Sequence, residues 1–314
     1  MDAITLPRPI QRRIEAAASD FLKPKGLPSI DFSSPPGEPA LAEPHSVSWR
    51  VFKNPIALFI GGTAAVILEL AEPRVRAGVW NHTSFRTDPI DRLQRTGLAA
   101  MVTAYAARSV AEAMIAGIRR KHAKVTGRSE NGDSYSASDP ELLNWVEATA
   151  AYGFVEAYHR FVHPLSQPDR DRFYAEALPA AHLYGATGAP ADEAEWRGLF
   201  ATMLPRLQAS PIILEFLEIM RCAPALPDVG RPLQALLIRT AVGLLPDEAR
   251  ARLRLHDEGG LSFWQAAIVR TLAQGADRLV IEMAPPAQAS VRMGLPADWL
   301  YQPSRRGCAT NRLA

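Results

Sequence analysis

An all-α fold is what this sequence predicts, on three observations. Between Ser46 and about Gln274 apolar residues recur three and four positions apart, Ala, Leu, Arg and Glu dominate, and β-branched alternation is scarce. Helix-start signals recur through the same stretch, several of them a capping residue followed by proline. The chain has 314 residues, 47% hydrophobic and 22% charged, enough to bury a substantial core in one large domain or two ordinary ones.

Residues 1–45 are expected to form an N-terminal arm. A short helix from Ile10 to Leu22 leads into "LKPKGLPSIDFSSPPGEPALAEP", whose Pro, Ser and Gly suit a surface arm or a linker. An all-α domain then occupies 46–276. Its longest apolar run, "PIALFIGGTAAVIL" at 55–68, falls short of the roughly 20 residues a membrane span needs and reads as a buried helix. "TDPID" starts a helix, with Asp88 as N-cap, Pro89 at the first position and Asp91 in the first turn. As a single helix, residues 90–125 would be about 54 Å long. Ser109 followed three residues later by Glu112 has the capping-box pattern, however, so a break near Ala106–Arg108 should give two helices folded back on each other. Asp139-Pro140 opens the next helix, another follows His163-Pro164, and Pro246 heads a late one. The tail, 277–314, holds one strand-like fragment, "RLVIEMA", and is otherwise expected to be irregular.

Several function classes are excluded. A net charge of +2, with no basic tail, gives no ground for a nucleic-acid partner. Cys222 and Cys308 stand far apart, with no zinc spacing and no Cys-x-x-Cys-His for covalent haem, and read as reduced thiols. The first residues lack the apolar core of a secretory signal, and no membrane span is expected, which together point to a cytoplasmic protein. There is no G-x-S-x-G, no P-loop and no G-x-G-x-x-G after a strand.

Two constellations could carry chemistry. In "IRRKHAKVTG", His122 ends an apolar stripe of Val110, Met114 and Ile118. It is either a core histidine bonded to a backbone carbonyl or an axial ligand to haem iron, since neutral imidazole in an apolar helical pocket suits both. Arg92, Arg95 and Thr96 share one face of the preceding helix: either a solvated face paired with Asp88 and Asp91, or a donor set above the iron or against haem propionates. A continuous helix would hold these groups about 40 Å from His122; the hairpin lets them face it across one pocket. The second constellation is Glu156-x-x-His159 with His163 one turn on, the ligand pattern of non-haem di-iron bundles. Glu176 and His182, six apart, do not complete it.

Several segments occur here in a telling order: "SWRVFKNPIALFIGGTAAVILELAEPRVRAGVWNHTSFRTDPIDRLQRT", "IRRKHAKVTG", "YSASDPELLNWV", "PLSQPDRDRFYAEALPAAHLYG" and "LLPDEARARLRL". Over roughly 46–255 the chain resembles the oxygenase family of the bacterial latex-clearing protein (rubber oxygenase) and the fungal oxygenase of mycophenolic acid biosynthesis. The resemblance implies a globin-like multi-helix bundle around a pocket for non-covalent haem b. In it, His122 matches the proximal iron ligand, and Arg92, Arg95 and Thr96 match the distal Arg-x-x-(Lys/Arg)-Thr motif, which activates O2. It further implies a hydrophobic small-molecule substrate, such as an isoprenoid or another alkene; a non-catalytic haem-binding protein would carry the same residues, and a homodimer stays open. The chain departs from the family at three points. Arg95 stands where the latex-clearing branch has lysine, and guanidinium, with a pKa above about 12, is a poor iron ligand. Glu72 and Glu147 replace histidines that the family often shows; either could act as an acid/base near the pocket, but a surface carboxylate is the expectation for both.

Overall fold

The computed structural model describes Ile4, Gln11 and residues 22–224 and 230–302. Its helices are α1 (Val47–Phe52), α2 (Pro55–Ala71), α3 (Pro73–His82), α4 (Pro89–Tyr105) and α5 (Arg108–His122), then, after a two-stranded hairpin, α6 (Pro140–Phe161), α7 (Gln167–Tyr184), α8 (Glu193–Met203), α9 (Pro211–Cys222), α10 (Arg231–Leu244), α11 (Asp247–Arg252), α12 (Phe263–Ala276) and α13 (Pro285–Arg292). The all-α expectation holds. The helix expected at 10–22 falls almost wholly outside the described residues.

The apolar run at 55–68 forms α2, started by Asn54, whose side chain accepts from the Ala57 N–H, with Pro55 at the first position. It is the buried helix the composition implies, and α6 lies against it along much of its length. The two helices meet backbone to backbone. A Cβ on Gly61 would sit 2.4 Å from the Gly153 carbonyl oxygen, and one on Gly153 would sit 2.2 Å from that of Gly61. The crossing is antiparallel, because Trp145, before Gly153, donates its indole N–H to the Leu68 carbonyl, after Gly61 (3.2 Å). Around this pair the apolar faces of α3 and α8–α11 build the larger core. Among the described residues no single helix is long and apolar enough to cross a membrane.

A second, smaller core lies apart from the first. Leu98, Met101, Val102 and Tyr105 of α4 and Ala111 of α5 pack with Phe32 of the arm, Trp49 of α1 and Ala289 of α13. The chain breaks between α4 and α5 where expected, but the cap is different. Ser109 lies inside the helix, and its N–H and hydroxyl both donate to Glu38, which reaches over from the arm (2.6 and 3.0 Å). A carboxylate is well placed at that helix N-terminus. Residues 22–45 are thus a surface arm: the Lys25 N–H donates to Asp91, Phe32 is buried, and the Arg108 N–H donates to the Pro39 carbonyl.

Two features depart from expectation. Strands β1 (Thr126–Arg128) and β2 (Ser134–Ser136) pair antiparallel with Gly127 opposite Tyr135, around an Asn131-Gly132 turn in which Gly132 has φ +84°. The tail, expected to be irregular, folds α13 onto α4 and the arm, and buried Arg292 donates to the carbonyls of Phe32 and Glu38 (2.7 and 2.8 Å). The fragment "RLVIEMA" contributes only an isolated parallel bridge, Leu279 to Ile4. Just before it, the wholly buried Asp277 receives an ion pair from the equally buried Lys53 (3.0 Å) and a bond from Asn54 (3.4 Å). That pairing pins the end of α12 to the α1–α2 junction.

Candidate active site

Helix α4 packs mainly on α1, α5 and α13, and α5 mainly on α4 and α7, whereas α2 and α6 pack on each other. The side chains that face across the interval are only partly buried: Phe59, Gly62, Val66 and Glu69 on α2; Leu143, Glu147, Ala150 and Phe154 on α6; Met114, Ile118 and His122 on α5. Each set recurs three and four apart, so each is one helix face. Glu69 and Glu147 keep accessible surface, yet burial pushes both carboxyls up to about 7, with Glu69 adding repulsion at Glu147. These partly exposed faces of α2, α5 and α6 thus border a common space, with Arg92 of α4 close to both Glu69 and His122.

The hairpin brings part of the expected constellation to this space. Burial lowers the pKa of His122, and the nearby Arg92 guanidinium lowers it further, so the imidazole is neutral at pH 7. Its Nδ1 is buried and has no partner among the described residues. Arg92 donates to the Thr96 hydroxyl (2.8 Å), which itself donates to the Arg92 carbonyl, and the guanidinium lies over the Phe85 ring at 5.2 Å. Its Nε is buried and unpartnered, and burial lowers its pKa, opposed by attraction to Glu69. Glu69, Arg92 and His122 are therefore electrostatic neighbours. Tyr184, near Glu147, is hydrogen-bonded to Thr103 of α4 at 3.3 Å, which closes the α7 side.

Arg95 is not with them. Its guanidinium donates to Asp91 (2.5 Å) and to the Lys25 carbonyl (2.5 Å), on the outer side of α4 where the arm crosses. The motif Arg-x-x-Arg-Thr thus splits: residues one turn apart (Arg92 and Thr96) share a contact, while Arg95 serves the arm.

Neither Glu72 nor Glu147 is the surface carboxylate expected. Glu72 is buried, accepts from the Val75 N–H and from Arg74, and caps α3. Glu147 is partly buried, with Glu69 and Tyr184 as its electrostatic neighbours. Sequence reasoning missed Glu69, although a signal existed: it is the single charge in the seventeen residues of α2, in phase with Gly62 and Val66.

The competing metal constellation does not assemble. Glu156 is engaged by Arg160 and by Arg170 (3.1 Å), His159 Nδ1 accepts from the Leu165 N–H (2.9 Å), and His163 lies 3.5 Å from Asp277. Glu176 caps α1 by accepting from the backbone of Val47 and Ser48, and His182 is exposed. No three His, Cys, Asp or Glu side chains among the described residues converge as a metal ion would need. Glu156 instead belongs to an ion-pair network, Glu156–Arg170–Glu193.

Residues 49–278 match the family described as ER-bound oxygenase mpaB/B'/Rubber oxygenase, catalytic domain. The chain belongs to this oxygenase family. The match runs from α1 to the end of α12 and contains Glu69, Arg92, Thr96, His122 and Glu147. No curated protein and no solved structure matches the chain.

Proposed function

We propose that this member of the oxygenase family is a haem b-dependent oxygenase of a hydrophobic small molecule. The observation that carries the reading is His122: a neutral imidazole with a buried nitrogen that has no partner among the described residues, at the end of an apolar stripe and close to Arg92. Such a group would hold a haem iron better than it fits a core histidine, whose Nδ1 would be satisfied from a carbonyl. Met114 and Ile118, on the same helix face as His122, with Phe59 and Phe154, would supply apolar contacts to the group. Haem, when bound, supplies the redox-active iron that O2 chemistry requires.

The protein's own groups have separate tasks in this reading. Thr96 orients the Arg92 guanidinium, whose remaining N–H donors would stabilise negative charge that develops close to His122. Glu69 and Glu147, both near half-protonated at neutral pH, can hold or release a proton at their carboxyl oxygens next to a bound substrate. The apolar walls exclude water and select an alkene-like substrate by shape; isoprenoids belong to that class.

The test is an absorption spectrum with pyridine haemochrome quantification, for the wild type and His122→Ala expressed with ample haem. About one haem b per chain, lost or strongly shifted in the variant, is the expected outcome. A wild type that takes up no haem overturns the reading. O2 consumption with electron-rich alkenes then separates an oxygenase from a protein that binds haem without turnover.

A further inference from the structure

We propose that α12 and the basic cleft beside it dock this protein onto an anionic lipid surface. The first observation is the outward face of α12. Phe263 and Trp264 are each 75% exposed, Ile268 50% and Leu272 39%. Trp264, Ile268 and Leu272 fall four apart, so they form one stripe, and the two aromatic rings meet edge to face at its start. The helix carries one charge, Arg270, and no acid. Apolar groups this large and contiguous are seldom left in water on a helix with Val269 and Ala273 already buried against the core.

The second observation is independent of the first. A cleft of about 650 Å³ runs along the other flank of α12. It is lined by Arg160, Arg250, Arg270, His159 and His256, and by no carboxylate. Arg160 is tied to Glu156 and Arg250 to the exposed Asp247. Arg270 has no carboxylate partner among the described residues; its Nε donates to the Arg160 carbonyl (3.4 Å). Asp257 and Glu258 lie in the adjoining loop, the latter held by Arg221. An apolar stripe headed by Trp and Phe, next to a cationic cleft that can take a phosphate headgroup, matches the interfacial membrane side and its charge. A second copy fits less well, since it would cover the stripe and leave the cationic cleft without a counter-charge.

Co-sedimentation of the full chain with vesicles tests this, and it reads neither cofactor nor turnover, so it stands or falls apart from the haem reading. The wild type should sediment with phosphatidylcholine vesicles containing about one-third phosphatidylserine, and more weakly with phosphatidylcholine alone. Phe263→Ser/Trp264→Ser should weaken binding at least about tenfold, with circular dichroism unchanged because both side chains lie in solvent. Arg270→Gln should cost about fivefold on the anionic vesicles only. No sedimentation of the wild type, or equal sedimentation of all three proteins, overturns the proposal. So does a wild-type dimer by light scattering that the double substitution converts to monomer, which would assign the stripe to a second copy.

Discussion

Glu69 and Glu147 are carboxylic acids whose one cationic neighbour among the described residues is Arg92, beside Glu69, and their raised pKa values carry a definite pH signature. In the unfolded chain both lose their protons near pH 4.5; in the folded protein they keep them to about 7. The folded state therefore binds more protons between those values, and stability falls as pH rises through that window. Glu147→Gln should remove part of the slope and raise stability at pH 8 by about 1–2 kcal/mol, read from urea unfolding at pH 5 and pH 8. An unchanged difference between the two pH values would show that Glu147 is solvated. His122 works in the opposite sense, since its lowered pKa makes folding less favourable only below about 6.5. At this scale the sequence was legible where a residue type is rare in its setting, as His122 is on an apolar stripe. It misled at Arg95 and Glu156, where the spacing was suggestive but the partners, Asp91 with Lys25 and Arg170, come from elsewhere in the chain.

Helices were readable because their starts are written locally. Asp88, Asp139, Ser166 and Asn54 each accept an N–H in the first turn, and each is followed within two residues by proline. Contacts between elements were not readable. The capping box at Ser109 lost to Glu38, some seventy residues earlier, and the glycines of α2 gave no hint that their partner was a glycine on α6. That pair makes a strong prediction. Gly153→Ala puts a methyl into the Gly61 carbonyl, and backbone on both sides cannot give way. It should destabilise by about 3 kcal/mol or more, measured by chemical denaturation, whereas Gly198→Ala, with open space around it, should not. The hairpin at 126–136 did carry a local signal, the Asn131-Gly132 turn, but its strands of three residues are too short to show alternation.

For the whole molecule, the two cores meet at α1, which sends Val47 and Val51 into the larger and Trp49 into the smaller, with Phe52 packed against both. Polar contacts fasten the outside: Arg292 ties α13 to the arm, and the Lys53–Asp277 pair ties the end of α12 to the α1–α2 junction. Burial opposes the Asp277 charge, but bonds from His163, Lys53 and Asn54 hold its carboxyl below the ordinary range. Lys53→Met leaves that charge buried without its cation and should cost about 3–5 kcal/mol. Thermal unfolding of the variant checks this, with limited proteolysis reporting whether the C-terminal segment releases first. The tail was illegible because its helix is specified by what it docks on: Arg292 finds its acceptors on carbonyls 254 and 260 residues earlier.

The Gly61–Gly153 contact also fixes how far apart the residues further along α2 and α6 can stand. Two helices that touch backbone to backbone cannot slide closer, and these two then lie against each other along much of their length. Phe154, whose ring would lie 3.6 Å from a Cβ on Gly62, stands beside the contact, and Glu69 and Glu147 follow about two turns along the same pair, with Trp145 bonded to the Leu68 carbonyl alongside them. The spacing of the two acids is therefore set by a pair of glycines that carry no chemistry of their own, so a change at either glycine reaches the acids without touching them.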